Sequence, residues 1–221
     1  MRAGHSVRME PPQPQTPSTP SFRDQIAGRL AAFPRLSLEA AELRRAAVAV
    51  LLSPLQGDGQ ITYALTRRAL TLRRGAGNYA LPGGALDPGE DAVTAAVRET
   101  AEELGVFLPR EAALGLLDDF VTLTGFVVTP VVLWSPDPLT LRPDPSEVAE
   151  AWLIPLTDLD HPEAPRSEPH PDGGEPILRM FARGGWINPP TAAFLYQFRE
   201  VALHGRWTRV GAVGQPGWTA R

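Results

Sequence analysis

A chain of 221 residues with 43% hydrophobic and 21% charged residues suits one large domain or two small ones, and is too apolar to be wholly disordered. Its 21 basic residues, all arginine, against 25 acidic ones leave a formal charge of −4, which argues against a general nucleic-acid binder. Cysteine is absent, excluding a disulfide framework, a zinc knuckle and a thiolate nucleophile; the longest strongly apolar run, residues 46–52, is too short to cross a bilayer. No basic start with an apolar signal-type segment precedes the fold, so the chain is expected to be soluble and cytoplasmic, with no membrane partner.

Residues 1–21 hold Pro11, Pro12, Pro14, Pro17 and Pro20 among Gln, Ser and Thr, and are expected to form a disordered tail. Phe22, Ile26, Leu30 and Phe33 recur at helical spacing, and Pro34 ends that short helix. Residues 46–53 read as an apolar strand closed by Pro54 and a glycine turn at 57–59, with residues 61–66 as its hairpin partner. A loop rich in Arg and Gly is expected over residues 67–84. The clearest helix covers residues 90–104, with Val93, Ala96, Val97, Thr100 and Leu104 as its buried stripe and Gly105 as its C-terminal stop. Residues 115–123 and 126–134 read as strands joined at Thr124-Gly125, and residues 148–154 as another. Residues 158–176 read as loop, and residues 191–203 as a closing helix. This order predicts an α/β chain: a mixed sheet sandwiched by helices in a single domain over residues 22–204, followed by a C-terminal tail, 205–221, that carries Trp207 and Trp218.

The chemistry concentrates on the helix at 90–104. Glu99, Glu102 and Glu103 stand at i, i+3 and i+4, so their carboxylates share one face, expected to lie away from the apolar stripe. Like charges at that spacing weaken a helix by about 0.2–0.5 kcal/mol per pair. They also sit toward the C-terminal end, where the helix dipole disfavours anions. A hard divalent cation, Mg²⁺ or Mn²⁺, reverses the sign of both effects, because it takes several carboxylate oxygens. The loop Pro82-Gly83-Gly84 can bring backbone carbonyls to the same ion, and Arg98 is placed to pair with Glu90 and clamp the loop to the helix. A solvated acidic face is the alternative when Glu102-Glu103 is read alone.

Gly84, Glu90, Arg98, Glu99, Glu102, Glu103 and Gly105 match the seven fixed positions of the Nudix box, and Val106 fits its final aliphatic place. Thr100 departs from the aliphatic residue expected after the first glutamate, though its methyl can pack. A chance match in a chain of this length is on the order of one in a million. The chain thus resembles the Nudix hydrolases. The resemblance implies a Nudix fold, an α/β/α sandwich with a mixed sheet and the box as loop–helix–loop, and metal-dependent hydrolysis of a nucleoside diphosphate linked to a group X. It implies Glu99 and Glu103 as leading metal ligands, Glu102 as a further ligand or proton acceptor, and the carbonyl of Gly83 as a backbone ligand. The general base in that family comes from outside the helix or from its first glutamate. Glu147 is the outside candidate here, with a surface glutamate at a strand edge as its equal alternative.

A second signature lies upstream. Leu65, Thr66, Arg68, Arg73, Gly77, Pro82, Gly83 and Gly84 fall in register with the motif of the coenzyme A pyrophosphatase branch, with Ala64, Ala69 and Leu81 as departures. That resemblance implies coenzyme A or its thioesters as substrate, with ADP-ribose, dinucleotides or nucleoside triphosphates as alternatives. The 3′-phosphate of coenzyme A makes extra arginines useful, and Arg67, Arg68, Arg73 and Arg74 are the candidates; backbone alternation leaves about two of them facing the site. A non-catalytic nucleotide-binding module is the competing class, and the presence of all three glutamates with Arg98 favours the enzyme. His5, His161, His170 and His204 show no ligand spacing, and Asp118-Asp119 is expected at a turn or facing solvent, with a place lining the cleft as the alternative. A homodimer is expected only by analogy with relatives.

Overall fold

The computed structural model describes residues 21–57 and 59–217; the expected Pro-rich tail, apart from Ser21, and Trp218 lie outside the described residues. Ser21 opens α1 (Phe22–Ala32) by accepting a hydrogen bond from the Asp24 amide at 3.2 Å. The axis of the molecule is β1 (Arg44–Pro54). On one edge it runs antiparallel to β2 (Ile61–Arg68), from Leu52↔Tyr63 to Pro54↔Ile61. On its other edge it runs parallel to β7 (Phe126–Trp134), from Arg44↔Phe126 to Leu52↔Trp134.

Away from their turn, β1 and β2 splay apart, and the Arg- and Gly-rich segment fills the wedge. β3 (Tyr79–Ala80) pairs with β2 at Thr66 and Arg67, and β4 (Gly83–Ala85) pairs with β1 across Ala46, Ala47 and Val48. The Pro82 carbonyl closes the gap by accepting from the Ala49 amide at 2.8 Å. The expected continuous loop at 67–84 is therefore partly sheet. Strands of two or three residues carry no readable alternation; they exist because a splayed sheet must satisfy its backbone donors.

The expected strand at 115–123 is two pieces, β5 (Ala113–Leu116) and β6 (Phe120–Val121), both antiparallel to β7. β8 (Val148–Pro155) covers the outer edge of β2. The segment 158–176, expected as loop, contributes β9 (Arg166–Glu168) to a separate antiparallel meander with β10 (Ile177–Ala182) and β11 (Gly185–Ile187). The closing helix α3 (Thr191–Phe198) continues through a wider π turn, Arg199–Leu203.

Helices cover both faces of β1, so its run is apolar throughout rather than alternating. Val50, Leu52, Tyr63 and Leu65 face a thick core with Ile26 and Leu30 of α1 and Phe194 and Phe198 of α3. Each such large side chain contributes about 1.5–3 kcal/mol by leaving water. The opposite face is thin: Ala47, Ala49 and Ala64 meet Ala95 and Ala96 of α2 (Ala92–Leu104). Small side chains on both sides let α2 lie close to the sheet. Residues 205–217 do not hang free; Val210 is buried and the Gly214 amide donates to the Pro176 carbonyl at 2.9 Å. Among the described residues no helix is long and apolar enough to cross a membrane.

Candidate active site

The site is built around α2. Asp91 caps the helix by accepting from the Thr94 amide at 2.9 Å, and its pairing with Arg110 holds it well below the usual carboxylate range. Gly105 ends the helix in the left-handed conformation, φ 63°, which Gly adopts without strain. The last helical carbonyls are not left open: the Asp144 amide donates to Glu103 O at 3.0 Å and the Arg142 amide to Leu104 O at 2.8 Å. That capping draws the loop ahead of β8, with Glu147 in it, toward the helix.

Arg98 ties the preceding loop to the helix. Its Nε and Nη2 donate to Glu90 Oε1 and Oε2, each at 3.1 Å, and Nη2 also donates to the Ala85 carbonyl at 3.0 Å. Glu90 in turn accepts from the Asp87 amide at 2.9 Å, and the Arg98 guanidinium keeps it below its ordinary range. Nη1 of Arg98 reaches Glu99 Oε1 at 2.7 Å and Glu102 Oε2 at 2.9 Å.

The three glutamates are not equivalent, and the acidic face does not lie away from the packed side as the helical wheel suggested. Glu99 and Glu103 are buried, 9% and 3% exposed, while Val93 and Val97 of the expected stripe are only half-buried. The alanine seam allows the helix to roll until this edge meets the glycine strand. A β-carbon on Gly84 would lie 2.6 Å from Glu99 Cδ, so only glycine leaves room for that carboxylate. Burial pushes the Glu103 carboxyl up to about 8; Arg68 opposes the rise, Glu99 and Glu147 add to it, and a hydrogen bond with the Gly83 backbone opposes it. Burial also raises Glu99, against the pull of Arg98, with Glu102 and Glu147 adding to the rise. Glu102 is mostly exposed and turned toward Arg98.

Among the described residues no three acidic or histidine side chains converge into a preassembled metal cage. The donor set nonetheless suits a hard cation: two buried carboxylates on one helix edge, of which only Glu99 is bonded to the Arg98 guanidinium, lack a full complement of partners. Glu147 is exposed at the start of β8, close enough to act on both buried carboxylates.

A cleft of about 470 Å³ opens against the opposite side of β4. Gly83, Gly84 and Ala85 form part of its floor, so the glutamates stand behind the glycine strand rather than in the cleft lining itself. Of the four candidate arginines, Arg68 and Arg74 line the cleft. Arg67 points elsewhere, paired with Glu150 at 3.2 Å and bonded to the Gly77 carbonyl, and Arg73 is exposed outside the lining. The lining also takes in Thr122–Thr124, Trp186, Asn188 and Gln215, none of which sequence reasoning placed at the site. Their types are ordinary and their positions lie far from the Nudix box; only the tertiary fold gathers them.

Asp118 and Asp119 are neither at a turn nor solvent-facing. Asp119 accepts from Thr129 Oγ1 at 2.6 Å, the Leu38 amide at 2.9 Å, Arg45 at 2.9 Å and also Arg35. Asp118 accepts from the Leu36 amide, Gln197 Nε2 and Arg209, each at 2.7 Å. The pair breaks the β5–β6 strand because its side chains turn inward to serve as a structural hub.

Comparison with known proteins agrees with this architecture. The NUDIX domain family model matches residues 43–172, more than half the chain. The chain is 38% identical over 111 residues to the Nudix hydrolase NudL of Photorhabdus laumondii, covering 50% of this chain and 59% of that protein. It is 35% identical over 129 residues to NudL of Escherichia coli K12, covering 58% and 66% respectively. The chain thus spans less than two thirds of the length of the curated relatives it matches. Among solved structures, the Nudix hydrolase RenU of M. smegmatis aligns with 25% identity and a TM-score of 0.50, over 76% of this chain and 90% of that one.

Proposed function

The chain belongs to the NUDIX domain family, and from that premise we propose that it hydrolyses the diphosphate linkage of a nucleoside diphosphate joined to a second group, X. The observation that carries this reading is the pair Glu99 and Glu103, buried behind a glycine strand whose other side floors a cleft with Arg68 and Arg74 in its wall. Glu99 and Glu103 would hold the divalent cation, Mg²⁺ or Mn²⁺, with Glu102 and the Gly83 carbonyl as further ligands. A cation held there would supply charge to offset that on the phosphoryl oxygens and would make a neighbouring water more acidic.

The chain's own residues do the rest. Arg98 preorients Glu99 and locks the loop at Glu90 onto the helix. Arg68 and Arg74 bind phosphate oxygens in the cleft. The water oxygen bonds to one phosphorus, the bridging P–O bond breaks, and the leaving phosphate departs with the electron pair. The proton released from the water goes to a base, for which Glu147 is our assignment because its charge acts on both buried glutamates from outside the helix.

For the substrate, the motif residues from Leu65 to Gly84 favour coenzyme A or its thioesters, giving adenosine 3′,5′-bisphosphate and the (acyl)phosphopantetheine. Two arginines in the cleft suit a ligand that carries a third phosphate. The test is chromatography of products after incubation with Mg²⁺ or Mn²⁺ and a panel of coenzyme A, acetyl-CoA, ADP-ribose, NADH and ATP. Release of adenosine 3′,5′-bisphosphate supports the reading in full. Cleavage of ADP-ribose or NADH alone retains the chemistry and overturns the coenzyme A assignment. No cleavage of any of them overturns the enzyme reading in favour of a binding module.

A further inference from the structure

The wall of the cleft beyond β7 is made by a segment that the sequence presents as a tail. Gln215 grips the β6–β7 turn with both ends of its side-chain amide: Nε2 donates to the Val121 carbonyl at 2.9 Å, and the Leu123 amide donates to Oε1 at 3.1 Å. The backbone of the same segment is tied to a different loop. The Gly214 amide donates to Pro176 O at 2.9 Å, and Gln215 O meets His170 Nε2 at 3.2 Å. A β-carbon on Gly214 would lie 3.0 Å from the carbonyl carbon of Glu175, so the segment is pressed against that loop. One short stretch therefore clasps two loops far apart in the chain, and both Gln215 and the turn it grips, Thr122–Thr124, line the cleft.

The charge of the cleft changes across β1. Arg68 and Arg74 belong to β2 and the loop after it, on one edge of β1; the turn gripped by Gln215 leads into β7, on the other edge. Among the described residues that line the cleft none is acidic, and Leu123, Thr124, Phe126, Phe194 and Gln215 make its β7 side uncharged. A diphosphate drawn to the arginines would leave its appended group against that neutral wall. Both ends of the Gln215 amide are spent on the backbone of the turn, one N–H and one oxygen lone pair, and those bonds hold the wall in place.

We infer that the Gln215 clasp is a positioning element that fixes the end wall of the cleft and so selects an uncharged group X on the nucleoside diphosphate. This rests on the hydrolase reading above, and the experiment separates the two. The probe is whichever of coenzyme A, ADP-ribose or NADH the full-length wild-type chain cleaves, with ADP as a competitive inhibitor that lacks X. Gln215→Ala is expected to raise KM for the X-bearing substrate about tenfold while kcat and the inhibition constant of ADP stay within about twofold. Gln215→Glu, which keeps the acceptor for the Leu123 amide, should fall between. A thermal melt checks that each variant is folded. Equal weakening of substrate and ADP, or no change in either, overturns the clasp and leaves the hydrolase reading standing. A wild-type chain that cleaves no member of the panel overturns both.

Discussion

Among the described residues, two pairs of buried carboxylates are provided for in opposite ways. Asp118 and Asp119 are surrounded by donors: backbone amides of Leu36 and Leu38, the Thr129 hydroxyl, the Gln197 amide, and three arginines that come from distant parts of the chain. Glu99 and Glu103 are also buried, yet Glu99 shares Arg98 with Glu90 and Glu102, for positive charge Glu103 has only the longer-range pull of Arg68, and burial raises both. The first pair is finished by the protein; the second is left short of positive charge. A buried carboxylate costs free energy unless its oxygens are satisfied. A fold that retains an unfinished pair beside a cleft has a use for the missing charge.

The largest expected effect tests that contrast at the unfinished pair. Glu103→Gln should lower kcat by roughly 10³-fold or more, since it removes a carboxylate proposed to hold the cation. Its melting temperature in the absence of divalent cation should hold or rise, because the cost of keeping an ionisable carboxyl in that buried place has gone. Added Mg²⁺ should raise the melting temperature of the wild type and not of the variant, as binding to the folded state requires. A variant that keeps its activity would remove the metal assignment.

At the finished pair the balance reverses. Asp119→Ala should cost about 3 kcal/mol in denaturant unfolding, since it strands two arginines, the Leu38 amide and the Thr129 hydroxyl around a void. Burial alone would raise Asp119, but the Thr129 hydroxyl, the Leu38 amide and Arg35 outweigh it and hold the group below its ordinary value. A depressed folded-state pKa gives stability that is present above the unfolded value of about 3.9 and is lost as pH falls through the folded one. Acid titration of stability should therefore show a loss starting near pH 4 in the wild type, and a shallower one in Asp119→Asn.

A smaller effect probes the space around Glu99. Gly84→Ala would force the carboxylate to move, and should reduce kcat by about 10–100-fold with the fold intact by circular dichroism. The smallest effects separate neighbours in sequence. Arg68→Ala should raise KM about tenfold, whereas Arg67→Ala, which breaks an exposed pair with Glu150, should change stability by less than about 1 kcal/mol and KM hardly at all. Equal kinetic effects at both positions would show that the cleft lining does not sort the arginines.

Much of this was legible in one dimension because it depends on local spacing. Residues four apart meet on any helix, so Glu99 and Glu103 share an edge, and Arg98 to Glu90 spans a distance one arginine side chain can bridge. The cap at Gly105, the β1–β2 hairpin and the apolar run of β1 likewise follow from short-range rules. The short strands β3, β4 and β9 carry no such signal, since pairing creates them.

What the amino-acid order determined by itself is the local constellation: glycines, arginine and three glutamates at intervals that place them on one loop and the helix after it. What the tertiary structure alone decided is the environment of those residues. The alanine seam between α2 and the sheet buried Glu99 and Glu103 and left Glu102 outside, which a wheel of α2 drawn without its partner strand misjudges. The hub at Asp118-Asp119 and the clasp at Gln215 draw on partners up to 91 and 94 residues away. Burial and long-range hydrogen bonds are properties of contacts, and contacts exist only once the chain has closed on itself.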